Sequence, residues 1–142
     1  MTIRKISVEQ LAEGLLGTVR GETAEPPVGA WVNGRIVAVL GSPEDESTTR
    51  MAFGMSALPK GVSTPWHTHE AEELAYIVSG RGTIAIGPEA VDVAPGDAVI
   101  TPSDAPHQTT ATADEDLVVF WMYAPPGSEV RWLSDNPVEG TT

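Results

Sequence analysis

The sequence has no cysteine. That excludes disulfides, zinc–thiolate sites and thiol nucleophiles. It has little positive charge: 8 Lys and Arg stand against 20 Asp and Glu, for a net charge of −12. No basic stripe is present to follow a phosphate backbone, so no nucleic-acid partner is expected. The acidity is read as a solubility feature rather than as a statement about substrate. Long hydrophobic runs are missing too. No stretch approaches the roughly 20 apolar residues of a membrane span, and no membrane partner is expected. The N-terminal MTIRKISVEQLAEGL carries Arg4 and Lys5 but no continuous apolar segment, so it does not read as a secretory signal. Taken together, these absences set the expectation of a cytoplasmic protein.

What is present fits one domain. A chain of 142 residues is of single-domain length and buries roughly 70% of its unfolded surface without staples. Hydrophobic residues are 41% and charged residues 20%, an ordinary globular balance. The 14 Gly and 12 Pro favour short strands joined by turns. One helix is expected. Ser7-Val8-Glu9-Gln10 matches a capping box, and Leu11, Leu15 and Leu16 follow at helical spacing. The helix is placed over 8–16 and ended at Gly17. Asn33-Gly34 reads as a tight hairpin turn, because both residues accept positive φ. The segment 42–47, SPEDES, reads as a solvated acidic loop. From Thr49 onward the expected strands are 51–58, 66–69, 73–79, 83–86, 90–93, 98–101, 107–111 and 117–123. Gly- and Pro-rich turns separate them, which points to an all-β sandwich or barrel. The chain divides into a helix and arm (1–30), a β-barrel (31–133) and a frayed tail (134–142).

The chemistry concentrates on the three histidines, His67, His69 and His107. His67 and His69 lie two residues apart on an expected strand, so their imidazoles share a face. Glu73 follows after a short turn, and His107 comes after a Pro-rich one. Imidazole with carboxylate suits Fe, Mn, Ni, Cu or Zn. Glu70 and Glu72 lie close by, with solvated-turn roles as the simpler reading. Isolated histidines are usually surface or core residues, so the framework around them matters more than their number.

Residues 61–80 read GVSTPWHTHEAEELAYIVSG, and residues 96–111 read GDAVITPSDAPHQTTA. The first resembles the cupin motif G-x5-H-x-H-x3-E-x6-G at Gly61, His67, His69, Glu73 and Gly80. The second resembles the partner motif G-x5-P-x-G-x2-H-x3-N at Gly96, Pro102 and His107. Asp104 stands where glycine is usual and Ala111 where asparagine is usual. These departures touch turn shape and strand end rather than ligation, and Asp tolerates a left-handed turn. The resemblance implies an all-β cupin jelly-roll barrel with a short N-terminal helix. It further implies one divalent transition metal held by His67, His69, Glu73 and His107, and a homodimer. Four protein ligands on a six-coordinate ion leave two positions open, as a catalytic site requires.

Met51, Phe53 and Met55 share one strand face. Val119, Trp121 and Tyr123 share another, with Val118, Phe120 and Met122 as the alternative set. Phe53, Met55 and Trp121 are the candidate substrate-pocket residues, with core packing as the simpler role. Tyr76 and Gln108 are expected to face away from the metal. No Arg or Lys is evident on the expected interior, which argues against a strongly anionic substrate. The segment 130–133 offers an apolar patch that either folds back over the barrel or meets a second subunit. The first functional expectation is a metal-dependent enzyme acting on a small, mostly apolar or aromatic oxygenated molecule. A dioxygenase is the first guess, with Glu73 as a movable base. The alternatives are a non-redox cyclase, isomerase, lyase or decarboxylase using the metal as Lewis acid, and a non-catalytic metal- or ligand-binding domain.

Overall fold

The turn signals divide the chain much as the structure does. The structure, a computed structural model, describes residues 3–133; the tail segment 134–142 lies outside them. Helix α1 spans Val8–Val19. The strands are β1 (Ala30–Val32), β2 (Arg35–Gly41), β3 (Ala52–Leu58), β4 (Glu72–Ser79), β5 (Gly82–Ile86), β6 (Glu89–Val93), β7 (Ala98–Thr101), β8 (His107–Ala111) and β9 (Leu117–Ala124). They form a six-stranded sheet, β1-β2-β3-β9-β4-β7, and a three-stranded sheet, β6-β5-β8. Every pairing is antiparallel. This is the all-β jelly-roll architecture with one short helix. No helix among the described residues is long and apolar enough to cross a membrane.

Local chemistry explains the element ends. Asn33 (φ 45°) and Gly34 (φ 86°) form the two-residue turn between β1 and β2. The helix runs past the expected stop at Gly17, because Leu15, Leu16 and Thr18 are all buried. It ends one turn later, where Gly21 adopts φ 80° and its N–H reaches the Thr18 carbonyl. Ser7 occupies the N-cap position without a side-chain cap; its carbonyl accepts the Leu11 N–H instead. Within the acidic loop, Pro43–Asp45 forms a 3-10 turn capped by the Ser42 hydroxyl.

Segment 66–69 corrects the reading of a regular strand. Pro65 has no N–H to give a ladder. The segment instead runs along β8 as an extended arm tied by isolated bridges, Ser63 to Thr110 and His67 to His107.

Residue size sorts the two faces of the large sheet. Ala12, Leu15 and Leu16 of α1 pack on Ile36, Ala38, Leu40, Met55, Ala57 and Val118, with Phe53 and Phe120 alongside. The other face of the same strands turns inward with Val37, Ala52, Trp121 and Tyr123. Strand β3 therefore presents Phe53, Met55 and Ala57 to the helix and Ala52, Gly54, Ser56 and Leu58 to the interior. A Cβ on Gly54 would come within 2.1 Å of the Ala38 carbonyl oxygen and 2.4 Å of the Trp121 ring. Gly54→Ala is expected to destabilise the fold by about 1–3 kcal/mol through this overpacking, measured by urea unfolding. Unchanged stability would show that the sheet yields at this crossing.

Candidate metal centre

The arm and β8 position two of the imidazoles directly. His67 donates its backbone N–H to the His107 carbonyl (3.2 Å) and accepts from the His107 N–H (3.0 Å). This reciprocal antiparallel pair sets the two side chains on one face. Their ring centroids are 4.2 Å apart. His69, two residues along the arm, places its ring 5.7 Å from His67 and 4.7 Å from His107. The arm is fixed beyond His69 because the Asp104 N–H donates to the His69 carbonyl (2.9 Å). Asp104 has φ 61°, the left-handed turn that the motif usually gives to glycine.

Each imidazole is oriented by a backbone carbonyl two residues away. The Nδ1 atoms of His67, His69 and His107 lie 2.8 Å from the Pro65 oxygen, 2.9 Å from the Ala71 oxygen and 2.8 Å from the Ala105 oxygen. A carbonyl can only accept, so each Nδ1 donates to it; the Nε2 atoms of His67 and His107 are then left with lone pairs, while that of His69 is turned to Glu73 Oε1. The three histidines form a group able to hold a metal ion, with ligand atoms within 4.8 Å of one another. His107 Nε2 is buried with no hydrogen-bond partner. A buried nitrogen with an unused lone pair is costly unless something completes it. A cation at the meeting point of the three rings fits this donor set.

Glu73 joins them from β4, in register with Thr101 of β7 and Tyr123 of β9. Its Oε1 lies 3.2 Å from His69 Nε2. Glu72 and Glu70 are exposed, so strand parity separates Glu73 from its acidic neighbours. Burial pushes the Glu73 carboxyl up, but the His69 hydrogen bond and the nearby imidazoles outweigh it and hold the group below its usual range.

Of these four, His67, Glu73 and His107 line a narrow cavity of about 50 Å³. Of the candidate pocket residues, Trp121 lines it. Phe53 and Met55 do not; they pack against the helix, on the opposite face of β3 from Ser56 and Leu58, which line the cavity. Tyr76 is exposed, 43%. Gln108 donates to the Thr64 carbonyl rather than facing the histidines.

Sequence reasoning missed Arg35, which lines the cavity and is 3% exposed. This corrects the expectation of an interior without cations. The available signal was parity, since Arg35 shares its face of β2 with Val37. Tyr123 also lines the cavity, its ring 4.7 Å from His69. Burial and then the Glu73 charge push its phenol far above the usual range, so it remains a hydrogen-bond donor. The segment 130–133 folds back: Trp132 lines the cavity, while Val130 and Leu133 stay exposed.

The imidazoles make acid stability a readout of the site. Burial, then the neighbouring His107, pushes His67 down to about 4, and burial also lowers His107. In the unfolded chain the same groups take protons near pH 6.5. Between those limits the unfolded state binds more protons, so stability falls as pH is lowered from about 6.5 towards 4. The Tm of chelator-treated protein is expected to drop through this window, followed by circular dichroism. A Tm independent of pH there would contradict the lowered imidazoles of His67 and His107.

Comparison with known proteins agrees with this geometry. Residues 54–123 match the family described as the cupin domain. An uncharacterized protein of Streptomyces coelicolor is 35% identical over 78 residues, 55% of this chain and 73% of that protein. A predicted oxalate decarboxylase from Thermotoga maritima superposes with a TM-score of 0.58 at 27% identity, covering 64% of this chain and 80% of that one. A cupin-2 domain protein from Rhodospirillum rubrum gives a TM-score of 0.58 at 27% identity, covering 64% and 60% respectively. The motifs, the two-sheet architecture and the converging imidazoles place this chain in the cupin family, as a single small cupin domain.

Proposed function

We propose that this protein is a metal-dependent enzyme that acts on a small oxygenated molecule, with His67, His69, His107 and Glu73 holding one divalent transition ion. The observation that carries this reading is the orientation of the rings. All three Nδ1 atoms are tied to carbonyls, and His107 Nε2 is buried with no partner. When bound, the ion would act as a Lewis acid, polarising a substrate oxygen and stabilising the negative charge that develops there. The chain's own groups supply the rest. Glu73, held as a carboxylate, takes or returns a proton on the substrate. Tyr123 keeps its proton and donates a hydrogen bond to an oxygen in the cavity. Trp121 and Tyr123, stacked with centroids 4.6 Å apart, give a flat apolar wall that excludes water. The Thermotoga protein described as a predicted oxalate decarboxylase is named for a small oxygenated substrate, which supports this substrate class.

A second reading, a dioxygenase, is favoured by the same aromatic wall, which suits a planar aromatic substrate. Oxygen uptake separates the two. With catechols, flavonols and 1,3-diketones, the iron-loaded protein is expected to consume no oxygen; sustained uptake would favour the dioxygenase. Elemental analysis is expected to find about one divalent metal per chain, falling at least tenfold in His69→Ala while the β-sheet spectrum persists. Full occupancy in that variant would remove His69 as a ligand. Glu73→Gln is expected to lower turnover by about 10²–10⁴-fold on any substrate found, as loss of a proton-transfer group does.

A further inference from the structure

His69 is held differently from the other two histidines. The carbonyls that orient His67 and His107 belong to Pro65 and Ala105, which precede them. The carbonyl that orients His69 belongs to Ala71, which follows it (2.9 Å). Ala71 lies in the bend between the arm and β4, just outside the strand, so the path of the bend is set by contacts from elsewhere. The Asp104 N–H donates to the His69 carbonyl (2.9 Å), and the Ser103 hydroxyl donates to the Glu70 carbonyl. A third tie comes from 57 positions away: the Ala71 N–H donates to the Ser128 hydroxyl oxygen (3.4 Å). That bond is buried, whereas Ser103 and Asp104 are exposed.

Ser128 is itself fixed by the residue that follows it. It opens the 3-10 turn Ser128–Trp132. Glu129 is 1% exposed, and both of its carboxylate oxygens are used. Oε1 accepts from the Gly127 N–H (2.6 Å), and Oε2 accepts from the hydroxyl of Ser42, just beyond β2 (2.7 Å). An enclosed carboxylate is tolerated only with its hydrogen bonds made, so these contacts pin the backbone on either side of Ser128. Three buried hydrogen bonds therefore run in series towards the site: Ser42 to Glu129, Ala71 to Ser128, and His69 to Ala71.

We propose that Ser128 is a positioning residue for His69, acting through Ala71, with Glu129 and Ser42 holding Ser128 in place. This deepens the metal reading above and rests on it only for the effect on metal affinity; the setting of the ring is a property of the chain alone. Partners that orient a ligand from behind change metal affinity by about 10–100-fold when removed.

The test removes the hydroxyl in Ser128→Ala and restores it in Ser128→Thr. With isotopically labelled histidine in chelator-treated protein, NMR follows the solvent exchange of each Nδ1–H separately. Ser128→Ala is expected to speed exchange at His69 by about tenfold or more, the size of one lost hydrogen bond, with His67 and His107 within about threefold of wild type. Its zinc affinity is expected to fall about tenfold or more. Ser128→Thr is expected to return both to within about threefold of wild type. Loosening confined to His69 is a result that a general loss of stability would not give. Equal acceleration at all three rings, none at His69, or an unchanged zinc affinity where wild type binds zinc overturns the proposal. Should Ser128→Ala fail to fold, Ser42→Ala keeps Ser128 and removes its support. Exchange faster by about threefold or more at His69 alone then upholds the proposal, and an unchanged or uniform rate overturns it. Failure of wild type to bind zinc would defeat the metal reading, and the metal-free exchange rates would still decide the role of Ser128.

Discussion

The site depends on three hydrogen bonds between imidazole Nδ1 atoms and backbone carbonyls. They decide which nitrogen of each ring carries a proton and which way each ring faces. Two carbonyls lie two residues before their histidine, Pro65 and Ala105, and one lies two residues after, Ala71. The partners are thus local to the segments that deliver the rings. The orienting bonds form wherever those segments adopt their native path, and the convergence of the rings then requires only the reciprocal pair between His67 and His107. Groups that hold a ligand's second nitrogen in this way fix both its tautomer and its basicity.

The fold serves the site by leaving room. The large sheet is apolar on both faces, one covered by α1 and the other turned to the cavity. Bulk goes to the helix side: Phe53, Met55 and Phe120 pack there. Volume is conceded on the cavity side through Ala52, Gly54 and Ser56. Ser56 also accepts the Trp121 indole N–H (3.0 Å), which fixes the aromatic wall without crowding it. Close packing elsewhere makes such a void deliberate rather than incidental.

Much of this was legible in the sequence, and the failures share a cause. The turns at Asn33-Gly34, Pro95-Gly96 and Pro102 to Pro106 located the strands, because Gly, Pro and Asn act through local dihedral preferences. The three converging histidines were legible because motif spacing sets which side chains share a face. The misses fall where both faces of a strand are covered. In β2, RIVAVLG, and β3, AFGMSAL, polar and apolar residues do not alternate, so periodicity cannot say which side faces the cavity. Apolar size was taken as the mark of a pocket wall, and Phe53 and Met55 were chosen; the structure turns them to the helix and gives the wall to Ser56 and Leu58 on the other face of β3. Arg35 was passed over for the same reason, as a charged residue at a hairpin end reads as solvated. The arm at 66–69 looked like a strand because its side chains alternate as one does, although its backbone pairs only intermittently.

The bond between Ser42 and Glu129 joins residues 87 positions apart, and both side chains are almost fully enclosed. Its consequence is architectural. One rim of the binding chamber is contributed by the final described turn of the polypeptide, and that turn is moored to the opening third of the chain as well as to its own neighbours. Entry to the chamber and integrity of the domain's closing segment are therefore one problem for selection: drift at position 42 would be felt at the doorway.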